Sequence, residues 1–205
     1  MTVFFQVKAL NNIRLVYKNY EGLGLKVMGI CCSPRKGNTE WLIRSIMAAA
    51  EKRGAETESI TLRNKNIKMC DGCLGCEKTS ICHIKDDMQG IYSKILSTDA
   101  VLLGSPTYFD APTSLAMSFI HRIAYPLYGK IKGKRFASVV VGQTPGAEGA
   151  TSRGKVEDYF KLVASTFELD HMGSLSVTAR DPNDASKITD IEKQCENLAT
   201  KILKQ

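Results

Sequence analysis

The chain has 205 residues, of which 43% are hydrophobic and 24% are charged, proportions typical of a globular protein with one well-packed domain. No apolar run reaches the about 18 residues that a membrane helix needs, so the composition excludes a membrane span. The 28 Lys and Arg residues outnumber the 21 Asp and Glu residues and give a net charge of +7, which suits an anionic partner or simply a solvated basic surface. No basic run is interleaved with aromatic residues, so nucleic-acid binding is not expected.

Short apolar runs alternate with helical patterns along residues 25–205, whereas residues 1–24 precede the first strand and are predicted to form an N-terminal arm. Continuous apolar strands separated by helices indicate a parallel sheet that is covered on both faces. The sequence therefore predicts one α/β domain, a doubly wound sandwich around a five-stranded parallel sheet. In chain order, the predicted strands are 25–31, 57–62, 100–105, 136–142 and 173–177, and the predicted helices are 38–53, 86–97, 115–123, 151–168 and 185–203.

The loop SPRKGNT at 33–39 lies between the first strand and the first helix. In a sheet of this kind, ligands bind beyond the carboxyl ends of the strands, and a helix N-terminus there offers free N–H groups to an anion. Ser33, Asn38 and Thr39 add short polar groups, and Arg35 can bind a phosphate with two charge-assisted hydrogen bonds. The loop matches neither the dinucleotide fingerprint nor the Walker pattern. It predicts a phosphate site; the alternative is a plain helix start capped by Asn38 or Thr39.

Two further loops follow strands at the same edge of the predicted sheet. The loop at 104–114 carries Tyr108 and Phe109, and the loop at 142–149 is rich in glycine. Aromatic side chains beside a phosphate site suit a planar ring system, although the same aromatics could pack the loop onto the core. Together the three loops predict a composite pocket for a flat cofactor that carries a phosphate.

Four cysteines stand within thirteen residues, in a C-x2-C-x2-C-x5-C run at 70–82: Cys70, Cys73, Cys76 and Cys82. This spacing lets the thiolates turn toward one point, as in the cysteine runs that hold iron–sulfur clusters. Structural zinc more often uses two separated C-x2-C pairs, and unoccupied or redox-active thiols are the third possibility. Cys31, Cys32 and Cys195 are predicted to be packed small residues. No secretory signal is visible, and clustered free thiols suit a reducing cytoplasm.

The sequence resembles the iron–sulfur flavoproteins, a group within the flavodoxin-like NAD(P)H-dependent FMN reductases. The motifs that carry the resemblance are, in chain order, SPRKGNT, the cysteine run, IKDDM at 84–88 and GSPTYF at 104–109. The resemblance covers roughly residues 25–175. It implies FMN as a cofactor, a [4Fe–4S] cluster on the four cysteines, and homodimers or homotetramers that bring cluster and flavin together across subunits. The implied phosphate contacts are Ser33, Arg35, Asn38 and Thr39, and the residues implied to line the isoalloxazine are Pro106, Thr107, Tyr108 and Phe109.

The leading functional hypothesis is a cytoplasmic electron-transfer flavoprotein with FMN and [4Fe–4S], which exchanges electrons with a small acidic carrier such as ferredoxin. One alternative is an NAD(P)H-dependent FMN or quinone reductase without a cluster. Another is a flavin-binding redox sensor with zinc or reactive thiols in the cysteine segment.

Overall fold

The computed structural model describes residues 24–204, so the predicted arm, apart from Gly24, lies outside the described residues. The strands are β1 (Lys26–Cys31), β2 (Glu56–Thr61), β3 (Ala100–Tyr108), β4 (Ala111–Pro112), β5 (Arg135–Gly142) and β6 (Asp170–Thr178). The helices are α1 (Asn38–Glu51), α2 (Gly75–Thr79), α3 (Met88–Leu96), α4 (Ser114–Leu127), α5 (Gly146–Thr166) and α6 (Ile191–Leu203).

Five strands form the predicted parallel sheet, in the order β2-β1-β3-β5-β6. This is the flavodoxin-like order, in which the chain reverses direction across the sheet between β1 and β3. The two-residue strand β4, which the sequence did not predict, turns back antiparallel on the end of β3. The reversal places the carboxyl ends of β1 and β3 side by side, where such folds bind ligands.

Each face of the sheet carries its own core because alternate strand residues point to opposite faces. Val27 and Cys31 of β1 pack with α1 and α6. Met28 and Ile30 of the same strand pack with α3, α4 and α5. Both faces are therefore covered by helices, as the continuous apolar strands predicted. Among residues 24–204, no helix combines the length and hydropathy that crossing a membrane requires.

Three predicted helix boundaries were wrong by four residues or more, each for a local reason. Helix α5 begins at Gly146 rather than at 151, since the glycines that predicted a loop are accommodated in its first turn. Helix α4 continues through Pro126 to Leu127, because a proline near a helix end costs only one backbone hydrogen bond. The last helix begins at 191 instead of 185, because Asp190 has φ 58° and breaks the helical path behind a short 3-10 turn.

Candidate functional site

A cavity of about 420 Å³ lies at the carboxyl edge of the sheet, within the size range of small-molecule sites. Its walls come from the segments that follow β1, β3, β5 and β6. The structure brings together here all eight residues predicted to contact the flavin: Ser33, Arg35, Asn38, Thr39, Pro106, Thr107, Tyr108 and Phe109. Their roles toward the flavin remain a prediction.

The first wall is the loop between β1 and α1. The hydroxyl of Ser33 donates to the carbonyl of Arg35 at 2.8 Å and so closes a tight turn. The residue at the N-cap position of α1 is Gly37, and none of the side chains that the structure describes caps the helix. The alternative of a start capped by Asn38 or Thr39 was therefore wrong. The first N–H groups of α1 have no partner within the helix and can face an anion in the cavity.

Asn38, a predicted phosphate contact that lines the cavity, also binds the segment that follows β6. Its amide nitrogen donates to the carbonyl of Asp181 at 2.9 Å, and its amide oxygen accepts the N–H of Ala185 at 3.1 Å. The side chain of Asn38 thus fixes the segment after β6 against the loop, which leaves its backbone N–H as the group that can meet a phosphate. Arg35 reaches the same segment, where its guanidinium donates to the carbonyl of Arg180 at 2.6 Å.

The second wall is the turn between β3 and β4. Phe109 and Asp110 have φ values of 48° and 62°, a left-handed pair that tight hairpin turns require but that non-glycine residues seldom adopt. The ring of Phe109 is fully exposed at the rim of the cavity, so the alternative that it packs on the core was wrong. Asp110 accepts a hydrogen bond from Lys155 of α5 at 2.6 Å, and this bond lowers the pKa of Asp110.

The third wall is the loop from β5 into α5. Gly149 lies in the first turn of α5, where a Cβ atom would stand 1.7 Å from the carbonyl oxygen of Thr144. Arg153, one turn later, donates to that same oxygen at 3.1 Å. The close approach holds Thr144 and Glu148 at the cavity. The sequence indicated this loop by its glycines, but it gave no signal for Ser152 and Ala179, which also line the cavity.

The four clustered cysteines surround a second cavity, of about 230 Å³, that also touches α4. None of the described residues lines both this cavity and the first one. Gly72 has φ 71°, the left-handed conformation that lets the chain turn between Cys70 and Cys73. Cys70 and Cys73 are exposed, Cys76 is half-buried and Cys82 is buried. The burial of the four cysteines therefore increases along the segment.

Burial raises the pKa of a thiol both inside and outside the cysteine segment. Burial raises the pKa of Cys76, and the nearby thiols of Cys82, Cys73 and Cys70 raise it further, because like charges at close range oppose ionisation. Bound metal relieves that repulsion. Cys31 and Cys195 are buried outside this group, and burial raises the pKa of each to about 11. The prediction that Cys31, Cys32 and Cys195 are packed residues is confirmed by their burial.

His83 contributes to the cysteine segment in a way that the sequence did not indicate. Its Nε2 lies 2.8 Å from a carboxylate oxygen of Asp71, whose other oxygen accepts the N–H of Cys73 at 3.2 Å. Donor atoms of Asp71, Cys73 and His83 lie within 4.8 Å of one another. This exposed mixed set is a second way in which the segment could hold a metal.

The profile of a protein family described as NADPH-dependent FMN reductase matches residues 25–155. The chain belongs to the NADPH-dependent FMN reductase family. Curated iron–sulfur flavoproteins are among its relatives. One from Methanocaldococcus jannaschii is 33% identical over 144 residues, 67% of this chain and 72% of the relative. One from Archaeoglobus fulgidus is 36% identical over 118 residues, 57% of this chain and 58% of the relative. One from Methanosarcina thermophila is 36% identical over 97 residues, 46% of this chain and 51% of the relative.

The resemblance to the iron–sulfur flavoproteins is therefore confirmed, and membership of the FMN reductase family makes the chain a flavin-dependent oxidoreductase. The chain spans about half to three-fifths of the length of the second and third relatives. Solved structures support the fold. RosB with a bound flavin intermediate has a TM-score of 0.69 at 15% identity, covering 88% of this chain and 78% of that chain. An archaeal flavodoxin has a TM-score of 0.56 at 12% identity, covering 87% and 96%.

Proposed function

We propose that this protein is an electron-transfer flavoprotein that holds FMN in the first cavity and a [4Fe–4S] cluster on the four cysteines. When both groups are bound, the flavin supplies two-electron chemistry and the cluster supplies one-electron transfer. The observation that carries the proposal is the pair of separate cavities, one with a cradle suited to phosphate and one lined by all four clustered cysteines. A protein so built can connect a two-electron couple to one-electron carriers.

The residues of the first cavity fit FMN. The free N–H groups at the start of α1 and the guanidinium of Arg35 suit a terminal phosphate, which the family's flavin carries. Tyr108 and Phe109 offer aromatic faces for the ring system. The exposed ion pair formed by Asp110 and Lys155 links their turn to α5.

The residues of the second cavity fit a cubane cluster, whose usual ligands are four cysteine thiolates. The chain offers these four donors within one short segment, and burial of Cys82 excludes water from the inner side. The protein's part is to fix the thiolates and to set the hydrogen bonds and burial around them, which tune the potential.

The decisive experiment is anaerobic purification followed by quantification of iron, sulfide and FMN. We expect about four irons and four sulfides per chain, with a broad brown absorbance beside the flavin bands. Cys73→Ala should lose the iron and keep FMN, because the flavin cavity lies on other segments. Cys195→Ala, the matched control in a buried position away from the segment, should keep both. Iron retained in full by the Cys73 variant would remove that thiol from the ligand set.

The second candidate is a flavin-binding redox sensor with zinc, and the mixed donor set of Asp71, Cys73 and His83 favours it. Zinc accepts sulfur, nitrogen and carboxylate ligands together, whereas a cubane does not need His83. Stoichiometric zinc without iron in protein made under conditions that allow cluster assembly would favour this candidate. Loss of that zinc in His83→Ala, with FMN retained, would assign the mixed set as its ligands.

The proposed partners are a small acidic carrier of the ferredoxin type, NAD(P)H, and a second copy of the chain in a homodimer or homotetramer.

An apolar groove of about 600 Å³ between α4 and α5 supports assembly with a second copy. It shares His121, Ala124 and Tyr125 with the cysteine cavity, so a second copy seated there would lie beside the cysteines. Leu162 is exposed in this groove, and Leu162→Glu should shift sedimentation toward the monomer; an unchanged assembly would exclude the groove as the contact.

A further inference from the structure

The cysteine segment leaves and rejoins the domain through a narrow neck, which we define as residues 66–68 and 84–87. Asn66 donates its N–H to the carboxylate of Asp87 at 2.8 Å, and Asp87 donates its N–H back to the carbonyl of Asn66 at 3.2 Å. Lys68 donates its N–H to the carboxylate of Asp86 at 2.9 Å. The two ends of the segment are thus joined to each other without any contribution from the cysteines.

The neck is fastened to α4 by one guanidinium. Arg122 and Asp86 form an ion pair whose side chains are both 0% exposed, with Nη1–Oδ2 and Nη2–Oδ1 distances of 2.6 and 3.0 Å. The same guanidinium donates to the carbonyl of Lys68 at 2.7 Å and to that of Ile84 at 3.4 Å. A planar fork with several donors can make all these bonds at once, whereas a lysine ammonium cannot.

The position of Arg122 is itself fixed from α3. Pro126 has no N–H to donate to the carbonyl of Arg122, the acceptor that a regular helix would use. The hydroxyl of Tyr92 donates to that carbonyl instead, at 2.8 Å. The proline therefore leaves an acceptor that binds α3 to α4 at the residue that holds the neck.

We propose that the Arg122–Asp86 pair is a positioning device that sets the two ends of the cysteine segment, and with them Cys70 and Cys82, before the cluster is built. The role in cluster binding rests on the proposed function, whereas the hydrogen bonds around Arg122 do not depend on what the cysteines bind. Cys70 follows Lys68 by two residues and Cys82 precedes Ile84 by two, so the carbonyls bound by Arg122 flank the outermost thiols. A segment with fixed ends has fewer conformations to lose when it closes around its ligand.

A buried ion pair could instead serve only the general stability of the domain, and the two roles predict different results. Arg122→Met combined with Asp86→Leu removes both charges together, which avoids an unpaired buried charge and is often tolerated when a buried ion pair is replaced. The double variant lacks every hydrogen bond that Arg122 makes to the neck, and it also lacks the bond from the N–H of Lys68 to Asp86 within the neck. Arg122→Lys keeps a positive charge beside Asp86 but loses the fork.

The first measurement is amide hydrogen exchange in full-length, FMN-loaded protein freed of metal with a chelator. The informative amides are those of Cys73, Glu77 and Ser80, whose acceptors lie within the segment itself. We expect at least tenfold faster exchange of these amides in the double variant, an intermediate effect in Arg122→Lys, and unchanged exchange in β3 and β5. The second measurement is iron release from the loaded protein to a chelator, which should also be at least tenfold faster, with FMN affinity unchanged.

Arg135→Met is the matched control. Arg135 also binds two carbonyls, those of Ile202 and Leu203 at 3.0 and 3.2 Å, but at the end of α6. It should leave exchange in the cysteine segment as in the parent. Equal segment exchange in parent and double variant would overturn the proposal, and so would an increase spread evenly over segment and sheet. If the double variant does not fold, Arg122→Lys decides by the same criteria. A parent that holds no iron would overturn the proposed function, while the exchange measurement still decides the role of the pair.

Discussion

Arg35 is the one cationic side chain among the described residues that line the first cavity. Its guanidinium is exposed and donates to the carbonyl of Arg180, a neutral acceptor that a phosphate can replace or join. We expect Arg35→Ala to weaken FMN binding by about 1.5–3 kcal/mol, the range for hydrogen bonds to charged groups, measured by titrating the apoprotein with FMN. Lys36→Ala removes an equal charge from the adjacent position outside the cavity wall and should change affinity far less. Equal losses in the two variants would show a general charge effect.

Asp86 gives the neck a dependence on pH whose sign follows from its surroundings. Burial by itself raises the pKa of Asp86, but hydrogen bonds from Arg122 and from the N–H groups of Lys68 and Met88 outweigh it, and the net pKa is lowered. A carboxylate with a lowered pKa contributes stability that is complete above its unfolded pKa of about 3.9 and is lost as the pH falls through the folded value. Burial raises the pKa of Tyr92 to about 12, so this neighbour stays neutral throughout that range.

Asp86→Asn should therefore cost about 3–5 kcal/mol of unfolding free energy at neutral pH, because it leaves the charge of Arg122 buried and unpaired. Denaturant unfolding of metal-free parent and variant from pH 7 to pH 3 measures this difference. We expect it to be constant down to about pH 4 and to shrink below, because Asp86 of the unfolded parent then takes up a proton while Asp86 of the folded parent, with its lowered pKa, stays ionised. A difference that persists unchanged at pH 3 would contradict the ionised state of Asp86.

At the scale of secondary-structure elements, the start of α5 both packs against the preceding loop and forms the third wall of the first cavity. A side chain at Gly149 cannot fit without moving the backbone of Thr144, whereas a Cβ at Gly154, in the same helix, would meet no atom of residues 24–204 within 4 Å. Gly149→Ala should destabilise the protein by about 1–3 kcal/mol through overpacking and weaken FMN binding, because it displaces the third wall. Gly154→Ala should be neutral or stabilise by up to about 1 kcal/mol through helix propensity. Thermal unfolding and FMN titration distinguish the pair; similar effects of both would contradict the close contact.

The elements also show what sequence patterns can predict. Strands β1, β3 and β5 were predicted within a few residues because continuous apolar runs leave little choice of period, and the order of the loops then indicated the first cavity. The neck could not be predicted, since nothing near Arg122 in the sequence indicates that it lies against residues 68 and 84–86. The hydrogen-bond partners of the Asn38 side chain could not be predicted for the same reason, since they lie more than 140 positions away. Local sequence patterns determine the secondary-structure elements, whereas the hydrogen-bond partners of buried polar side chains depend on tertiary packing.

At the scale of the whole molecule, the two cavities have different relations to the fold. The first is built from four separate strand ends and forms only when the sheet is complete. The second is lined by the cysteine segment and by α4, which the segment contacts both through its neck and through α2. We therefore expect cluster ligands to be replaceable without loss of the flavin, as the experiment on Cys73 tests, whereas changes at the strand ends affect the flavin directly.

The net charge of +7 is a property of the whole molecule, and we expect it to affect the rate at which the protein associates with an acidic carrier. Long-range attraction raises association rates and is screened over about 10 Å at 0.1 M salt. In stopped-flow measurements, the second-order rate of reduction by a ferredoxin should fall by about an order of magnitude as ionic strength rises from low to physiological values and beyond. Reaction with a neutral quinone is the control and should vary little, because it has no charge to steer. If the rate with ferredoxin were as indifferent to salt as the rate with quinone, the basic surface would have no part in choosing the partner.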